Sequence, residues 1–203
     1  MLINKSGSRL AAVALVTLLL AACSKSESYG SDSTAASSTM SGDTSAMGAS
    51  NTTGGTWSDA NIVALLDEAN AADSSAAAIA ATKGTSSAVR DFARQMMRDH
   101  HKLRTDGQDL AKKLNITPAA PSDDPVQPMA QNETNTLNTT AKGKDFDKAY
   151  IDAEVDAHKA VLDLATKAAG QTQNTELKNL IQKAAPVIQG HLDKAESIQK
   201  TLQ

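Results

Sequence analysis

Three histidines of this chain lie on predicted apolar helix faces: His100, His158 and His191. His100 and His191 have apolar neighbours three and four residues away on either side, the spacing of residues that share one helix face. His158 has Glu154 one turn before it and lies at the edge of its apolar face. Imidazole nitrogens on facing helices are suitable ligands for a divalent transition metal.

Carboxylates occur at similar heights along the predicted helices. Asp73 lies between Ala69 and Ala76 on an apolar face, Glu154 precedes His158 by one turn, and Asp99 is an outside candidate next to His100. Asp73 and the three histidines each lie near the midpoint of their own helix, and midpoints meet in a bundle of helices of similar length. These six residues are therefore the candidate metal ligands. His101 is rotated by about 100° from its neighbour, so we expect it to face solvent or a flank.

Two other interpretations of the same residues stay open. A buried polar layer can fix the register of packed helices without binding anything, because hydrogen bonds between histidine and carboxylate satisfy it. Histidines near carboxylates also titrate between about pH 5 and 8, which would suit a pH sensor.

Apolar residues recur at intervals of three and four from residue 58 onward, which predicts helices. We expect helices over residues 58–83, 87–114, 145–169 and 175–202. Gly84 should end the first as a C′ glycine, and Asp145 and Asn174 should cap the last two. Four prolines between residues 118 and 128 break the chain after the second helix. The weak periodicity from Met129 to Thr140 allows one short polar helix.

The composition agrees with packed helices rather than a sandwich or barrel, since 40% of the residues are hydrophobic and only 2% aromatic. Four long helices with one apolar stripe each predict an all-α four-helix bundle over residues 57–203. The joints within each helix pair are short and the middle link is long. Two hairpins joined by a long crossover are the ferritin-like connectivity.

The N-terminus reads as a lipoprotein signal over residues 1–22. Lys5 and Arg9 precede an apolar run of 13 residues, which would rise about 20 Å as a helix and cannot span a bilayer core of roughly 30 Å. The run ends at Leu20-Ala21-Ala22-Cys23, which resembles the lipobox of bacterial lipoproteins. That resemblance implies acylation of Cys23, with palmitate among the acyl chains.

The lipobox resemblance also implies a location. Ser24 follows the cysteine, where an Asp resembles an inner-membrane retention signal, so we expect anchoring at the periplasmic face of the outer membrane. Residues 23–56, rich in Ser, Thr and Gly, should form the lipidated cysteine and a disordered tether.

Three segments carry a resemblance to a known family: residues 89–100 (VRDFARQMMRDH), 146–158 (FDKAYIDAEVDAH) and 185–192 (APVIQGHL). They resemble domain of unknown function 4142, a family of bacterial exported proteins, often lipoproteins, regarded as ferritin-like. The resemblance covers roughly residues 58–202. It implies the bundle but no activity, because the family has no settled function.

The family pattern transfers residue by residue. Its Asp-His pair falls on Asp99 and His100, its Ala-His on Ala157 and His158, and its Pro-x-x-x-x-His ends at His191. Asp73 replaces a Glu that is usual in the first helix, and residues 74–78 depart from the more polar family pattern. Di-iron sites resemble Glu-x-x-His pairs on two helices, whereas here Glu154 and His158 are one residue further apart. At most one His-rich metal position is expected.

Two functions follow from the sequence. The first is a tethered envelope bundle with a structural, interaction or stress role. The alternative is a metal-binding or weakly redox-active bundle that holds one Fe, Zn, Cu or Mn ion. No catalytic motif is present, so a non-enzymatic protein is favoured, and the net charge of −3 offers no basic surface for nucleic acid. Protein partners and oligomeric state stay open.

Overall fold

The computed structural model describes residues 55–202, and all regular structure in this range is helical. Its five helices are α1 (Asp59–Lys83), α2 (Ser87–Lys113), α3 (Val126–Thr139), α4 (Lys144–Gln171) and α5 (Thr175–Gln199). Residues 55–202 contain no strand. The all-helical class is therefore confirmed, and the predicted bounds of the four long helices differ from the observed bounds by at most three residues.

The long crossover contains α3, a helix of 14 residues, where the sequence allowed one short polar helix, so the described residues form five helices rather than four. This helix begins earlier than the periodicity indicated. The Asp124 carboxylate accepts hydrogen bonds from the amides of Val126 and Gln127 and so satisfies the start of the helix. Pro128 lies in the first turn, where no intrahelical N–H bond is required. The helix packs against α1 and α4.

The four long helices form two hairpins. α1 packs along α2 and α4 packs along α5, and each pair is joined by only three residues, 84–86 and 172–174. Joints this short require the two helices of a pair to run antiparallel. Further contacts between α2 and α5 and between α1 and α4 bring the hairpins together into one helical bundle.

The joint between α1 and α2 depends on close packing and on a carboxylate from α4. Gly84 ends α1 as expected, although its φ of −58° is not the left-handed backbone typical of a C′ glycine; a Cβ there would lie 2.7 Å from the Ala80 carbonyl oxygen. Asp147, 2% exposed, accepts hydrogen bonds from the amides of Thr85 and Ser86. These bonds satisfy amides at the start of α2.

Of the two predicted N-caps of α4 and α5, one is wrong and one is confirmed. Asp145 lies inside the first turn of α4, whose N-cap is Gly143 at φ +153°, so the prediction for Asp145 is wrong. That left-handed backbone favours glycine. The prediction for Asn174 is confirmed, because its side chain accepts hydrogen bonds from the amides of Glu176 and Leu177.

The apolar core is divided into two clusters. The Phe146 cluster is built mainly from Ala76, Ala80, Val89, Phe92, Met96, Phe146, Tyr150, Ile151, Leu192 and Ile198. The Trp57 cluster is built mainly from Trp57, Ile62, Leu65, Ala69, Val161, Leu164, Leu177, Ile181 and Ile188. Along each of the four long helices, the sequence passes from one cluster to the other at the midpoint. The buried polar residues of the bundle lie at that crossing.

None of the helices in residues 55–202 combines the length and the apolar character needed to cross a membrane. The predicted signal sequence, Cys23 and all but the last two residues of the predicted tether lie outside the described residues.

Candidate metal centre

The three predicted histidines meet between the two apolar clusters. His100 comes from α2, His158 from α4 and His191 from α5, and each is at most 1% exposed. Their ring centroids are 5.1, 5.5 and 5.6 Å apart. One ring nitrogen of each lies within 4.8 Å of one nitrogen of both others. We call these three residues the histidine group. By contrast His101 is exposed, as expected.

Hydrogen bonds fix the tautomers of two of these rings. His100 Nδ1 lies 2.9 Å from the side-chain oxygen of Asn70 on α1, and His158 Nδ1 lies 2.9 Å from the backbone oxygen of Glu154. Both partners are acceptors, so Nδ1 carries the proton in each ring. The lone pair of each ring is consequently on Nε2.

The third ring has the opposite tautomer. His191 Nε2 lies 2.9 Å from Oδ2 of Asp99, which also accepts a bond from Gln95 on the preceding turn of α2. The carboxylate accepts, so Nε2 carries a proton, and Nδ1 is the nitrogen left to bind an ion. Asp99 is half-buried and orients the ring from outside the histidine group. It is thus a positioning residue rather than a direct ligand.

The remaining nitrogen of each ring has no hydrogen-bond partner among the described residues: Nε2 of His100, Nε2 of His158 and Nδ1 of His191. Leaving a buried polar atom unpaired costs about 1–3 kcal/mol. Metal-bound histidines usually direct the second ring N–H to an oxygen acceptor, as all three do here. With metal–nitrogen bonds of about 2.0–2.1 Å, three imidazoles around one tetrahedral ion have centroids about 5 Å apart. The histidine group fits such an ion.

Burial keeps two of the rings neutral. Desolvation, followed by repulsion from the neighbouring histidines, lowers the pKa of His100 to about 2. The same causes lower the pKa of His158 to about 4, against the opposing effect of its bond to the Glu154 backbone. Neutral imidazole is the form that binds a metal ion. Both rings therefore have a free lone pair at pH 7.

Three buried carboxyls lie beside the histidine group, and we call them the carboxylate group: Asp73 of α1, Glu133 of α3 and Glu154 of α4. Asp73 Oδ2 is 3.3 Å from His100 Nδ1, and Glu154 Oε2 is 3.4 Å from His158 Nδ1. The two carboxyls thus approach the protonated edges of the rings. The nitrogen of each ring that lies nearest the carboxyl is therefore Nδ1, not the unpartnered Nε2.

Desolvation is the first cause that raises the pKa values of the carboxylate group. The pKa of Glu133 rises to about 7, and those of Asp73 and Glu154 rise well above their usual values. Repulsion from Glu133 adds to the shift of Asp73, and repulsion from both others adds to that of Glu154. The pKa of Tyr150 is also raised, by burial and then by the nearby Glu154. The site therefore favours neutral acids when no cation is bound.

The sequence located most of the site but missed two of its residues. Of its six candidates, the structure brings together His100, His158, His191, Asp73 and Glu154, while Asp99 touches only the outer edge of His191. Asn70 and Glu133 were missed. Glu133 could have been found, because it is the only charged residue of α3 and lies seven residues after Val126 and four before Leu137, the two buried apolar residues of that helix.

Comparison with known proteins adds a family but no activity. A family model described as "Domain of unknown function (DUF4142)" matches residues 44–198. No curated protein and no solved structure shows significant similarity to the chain.

Proposed function

The chain belongs to the DUF4142 family, whose description assigns no activity, and we propose from the site itself that its helical domain binds one divalent transition-metal ion. The ligands are Nε2 of His100, Nε2 of His158 and Nδ1 of His191. The proposal rests on one observation. These three buried nitrogens lack hydrogen-bond partners, while the other nitrogen of each ring is hydrogen-bonded to an oxygen. Zinc, copper, iron and manganese are the candidate ions.

A buried polar layer that only fixes helix register does not account for the unpartnered ring nitrogens. A register device needs buried polar groups that satisfy one another. Here the three ring nitrogens have no partner in residues 55–202, although the rings lie close together. A bound ion would use all three lone pairs at once.

An access route supports the proposal. A cavity of about 50 Å³ with mainly apolar walls reaches His100, and Asp67, Asn70 and Asp73 line it along α1. Asp67 is 29% exposed and Asp73 is buried, so acidic and amide oxygens continue from the surface to the Nδ1 edge of His100. Arg104 pairs with Asp67 at 2.9 Å on the wall of this cavity.

Metal titration of the full chain tests the proposed function. We expect one tightly bound zinc or copper ion per chain and a higher Tm, since an ion at 100 times its Kd adds about 2.7 kcal/mol, roughly 5–10 °C for a domain of this size. His100→Ala should abolish binding at this site. His101→Ala is the matched control, because His101 is the adjacent residue and its ring is exposed. Absence of binding by the unaltered chain, or equal binding by both variants, would contradict the proposal.

We also propose that the four long helices form a ferritin-like bundle. The hairpin contacts, the short joints and the long link between α2 and α4 support this connectivity, with α3 as an addition to the crossover.

For the N-terminal segment we propose acylation of Cys23 and attachment to the periplasmic face of the outer membrane. The support is the lipobox-like Leu20-Ala21-Ala22-Cys23 at the end of the apolar run. A Cys23→Ser variant should leave the membrane fraction of cells. Retention of that variant in the outer membrane would contradict the anchor.

A further inference from the structure

The carboxylate group lies where three helices converge. Asp73, Glu133 and Glu154 come from α1, α3 and α4, and they are 4%, 8% and 0% exposed. Carboxylate oxygens of Asp73 and Glu154 lie within 4.8 Å of each other, and Asp73 and Glu133 line one small cavity of about 10 Å³. A ring nitrogen of His158 lies within the same distance of the Asp73 and Glu154 oxygens, and Glu133 faces Asp73 across the small cavity.

These acids are not neutralised by the protein around them. Both carboxylate oxygens of Glu154 and one of Glu133 lack hydrogen-bond partners within residues 55–202, as does the nearby Tyr150 hydroxyl. No lysine or arginine of these residues forms an ion pair with the three acids. Buried charges in proteins are normally paired or coordinate a metal ion, so this grouping calls for a cation or for protons.

The histidine-bound ion cannot serve as that cation. Asp73 and Glu154 approach His100 and His158 at Nδ1, the protonated nitrogen, at 3.3 and 3.4 Å. The unpartnered nitrogens are at the other edge of each imidazole. An ion on those nitrogens is therefore separated from the carboxylate group by the width of a ring.

We propose a second cation site between carboxylate oxygens of Asp73 and Glu154, with Glu133 supplying a third carboxylate across the small cavity, that takes a hard divalent cation such as Mn²⁺, Mg²⁺ or Ca²⁺. Oxygen ligands suit these ions, whereas the three imidazoles suit zinc or copper. This inference extends the proposed function: the two positions are joined through the N–H edges of His100 and His158, so the centre holds two unlike ions rather than a carboxylate-bridged pair.

Sequential loading of the full chain separates the two sites. The chain is first saturated with one equivalent of Zn²⁺ and then titrated with Mn²⁺, with free Mn²⁺ measured by its electron paramagnetic resonance signal. We expect one bound Mn²⁺ per chain whose pulsed spectra show no imidazole nitrogen coupling. Glu133→Gln should weaken Mn²⁺ binding by about 100-fold and leave zinc stoichiometry unchanged. His191→Ala should reduce zinc binding and retain Mn²⁺.

The controls distinguish failure of this inference from failure of the proposed function. Asp156→Asn, an exposed acid on α4, should bind both ions as the unaltered chain does. Zinc binding without Mn²⁺ binding overturns the second site alone, and so does bound Mn²⁺ with imidazole nitrogen coupling or full Mn²⁺ binding by a folded Glu133→Gln variant. Absence of zinc binding overturns the histidine site instead. The measurements on the unaltered chain stand even if a variant fails to fold.

Discussion

The histidine group and the carboxylate group share one buried layer but differ in how their polar atoms are satisfied. Each ring of the histidine group has one nitrogen held by Asn70, Asp99 or a backbone oxygen. In the carboxylate group both oxygens of Glu154 and one of Glu133 lack such a partner among the described residues. The rings are oriented before an ion arrives, whereas the acids depend on a cation or on protons.

This difference separates two contributions to the free energy of unfolding. Hydrogen bonds to the rings offset much of the cost of burying them, and burial keeps His100 and His158 neutral at pH 7. The acids have no such compensation, because at pH 7 each must either stay protonated or place a charge in the interior. The metal-free chain should therefore bear its main energetic cost on the carboxylate side.

The largest expected effect is a gain in stability when one acid is removed. Glu154→Met replaces a fully buried, unpartnered carboxyl with an apolar side chain of similar size, and it should raise the free energy of unfolding of the metal-free chain by about 1–4 kcal/mol at pH 7. Urea unfolding in the presence of a chelator measures this change. Glu196→Met is the control, because the Glu196 side chain is 39% exposed and pairs with Lys159, and it should change stability by less than about 1 kcal/mol. A clear loss of stability in Glu154→Met would show that the acids stabilise the metal-free fold.

The next effect is a pH dependence that belongs to Glu133. Its pKa is raised to about 7 from 4.5, so between these values the folded chain holds a proton that the unfolded chain has lost. Stability from this group is complete below about pH 4.5 and falls as the pH rises to about 7, by up to about 3 kcal/mol. Glu133→Gln should reduce that slope and leave a remainder, because the raised pKa values of Asp73 and Glu154 act in the same direction.

The two groups can be distinguished in the same titration. The lowered pKa values of His100 and His158 act in the opposite direction, since stability is lost as the pH falls below about 6.5. That acid-side loss should persist in Glu133→Gln. Equal slopes above pH 4.5 in the variant and the unaltered chain would mean that Glu133 is not buried as a neutral acid.

The sequence predicted those residues of the buried layer whose positions depend only on spacing within one helix. The positions of His100, His158 and His191 follow from spacing within single helices, so periodicity alone placed them correctly. The role of Asp99 could not be predicted, because contact with His191 depends on the rotation of α2 against α5. Spacing within one helix contains no information on that rotation.

The crossover was the weakest part of the prediction for a related reason. Four prolines between residues 118 and 128 indicated a break, and the polar composition of α3 gave a weak helical signal. Its three buried residues are Val126, Glu133 and Leu137, so the residue that reaches the site is also the one that weakens the apolar pattern. Tertiary packing against α1 and α4, rather than local propensity, determines this helix.

A smaller effect should come from the oxygen that orients one ring. Asp99→Asn keeps an acceptor near His191 Nε2 but removes the negative charge, and we expect zinc affinity to fall about 10- to 100-fold. Competition with a zinc chelator measures this change. Asp91→Asn is the matched control on α2, because Asp91 is 69% exposed and pairs only with Arg94. An unchanged Kd in Asp99→Asn would show that packing alone orients the ring.

The smallest expected effect concerns the rate at which an ion reaches the layer. Arg104 pairs with Asp67 at 2.9 Å on the wall of the cavity that leads to His100. Arg104→Ala removes a positive charge from this route without touching a proposed ligand, so zinc association measured by stopped flow should become a few-fold faster, and more so at low salt. Lys102→Ala, which breaks an exposed pair with Asp106, is the control and should leave the rate unchanged. Because the histidine group is already oriented, Kd should change less than the rate does. An unchanged or slower association in Arg104→Ala would contradict this access route.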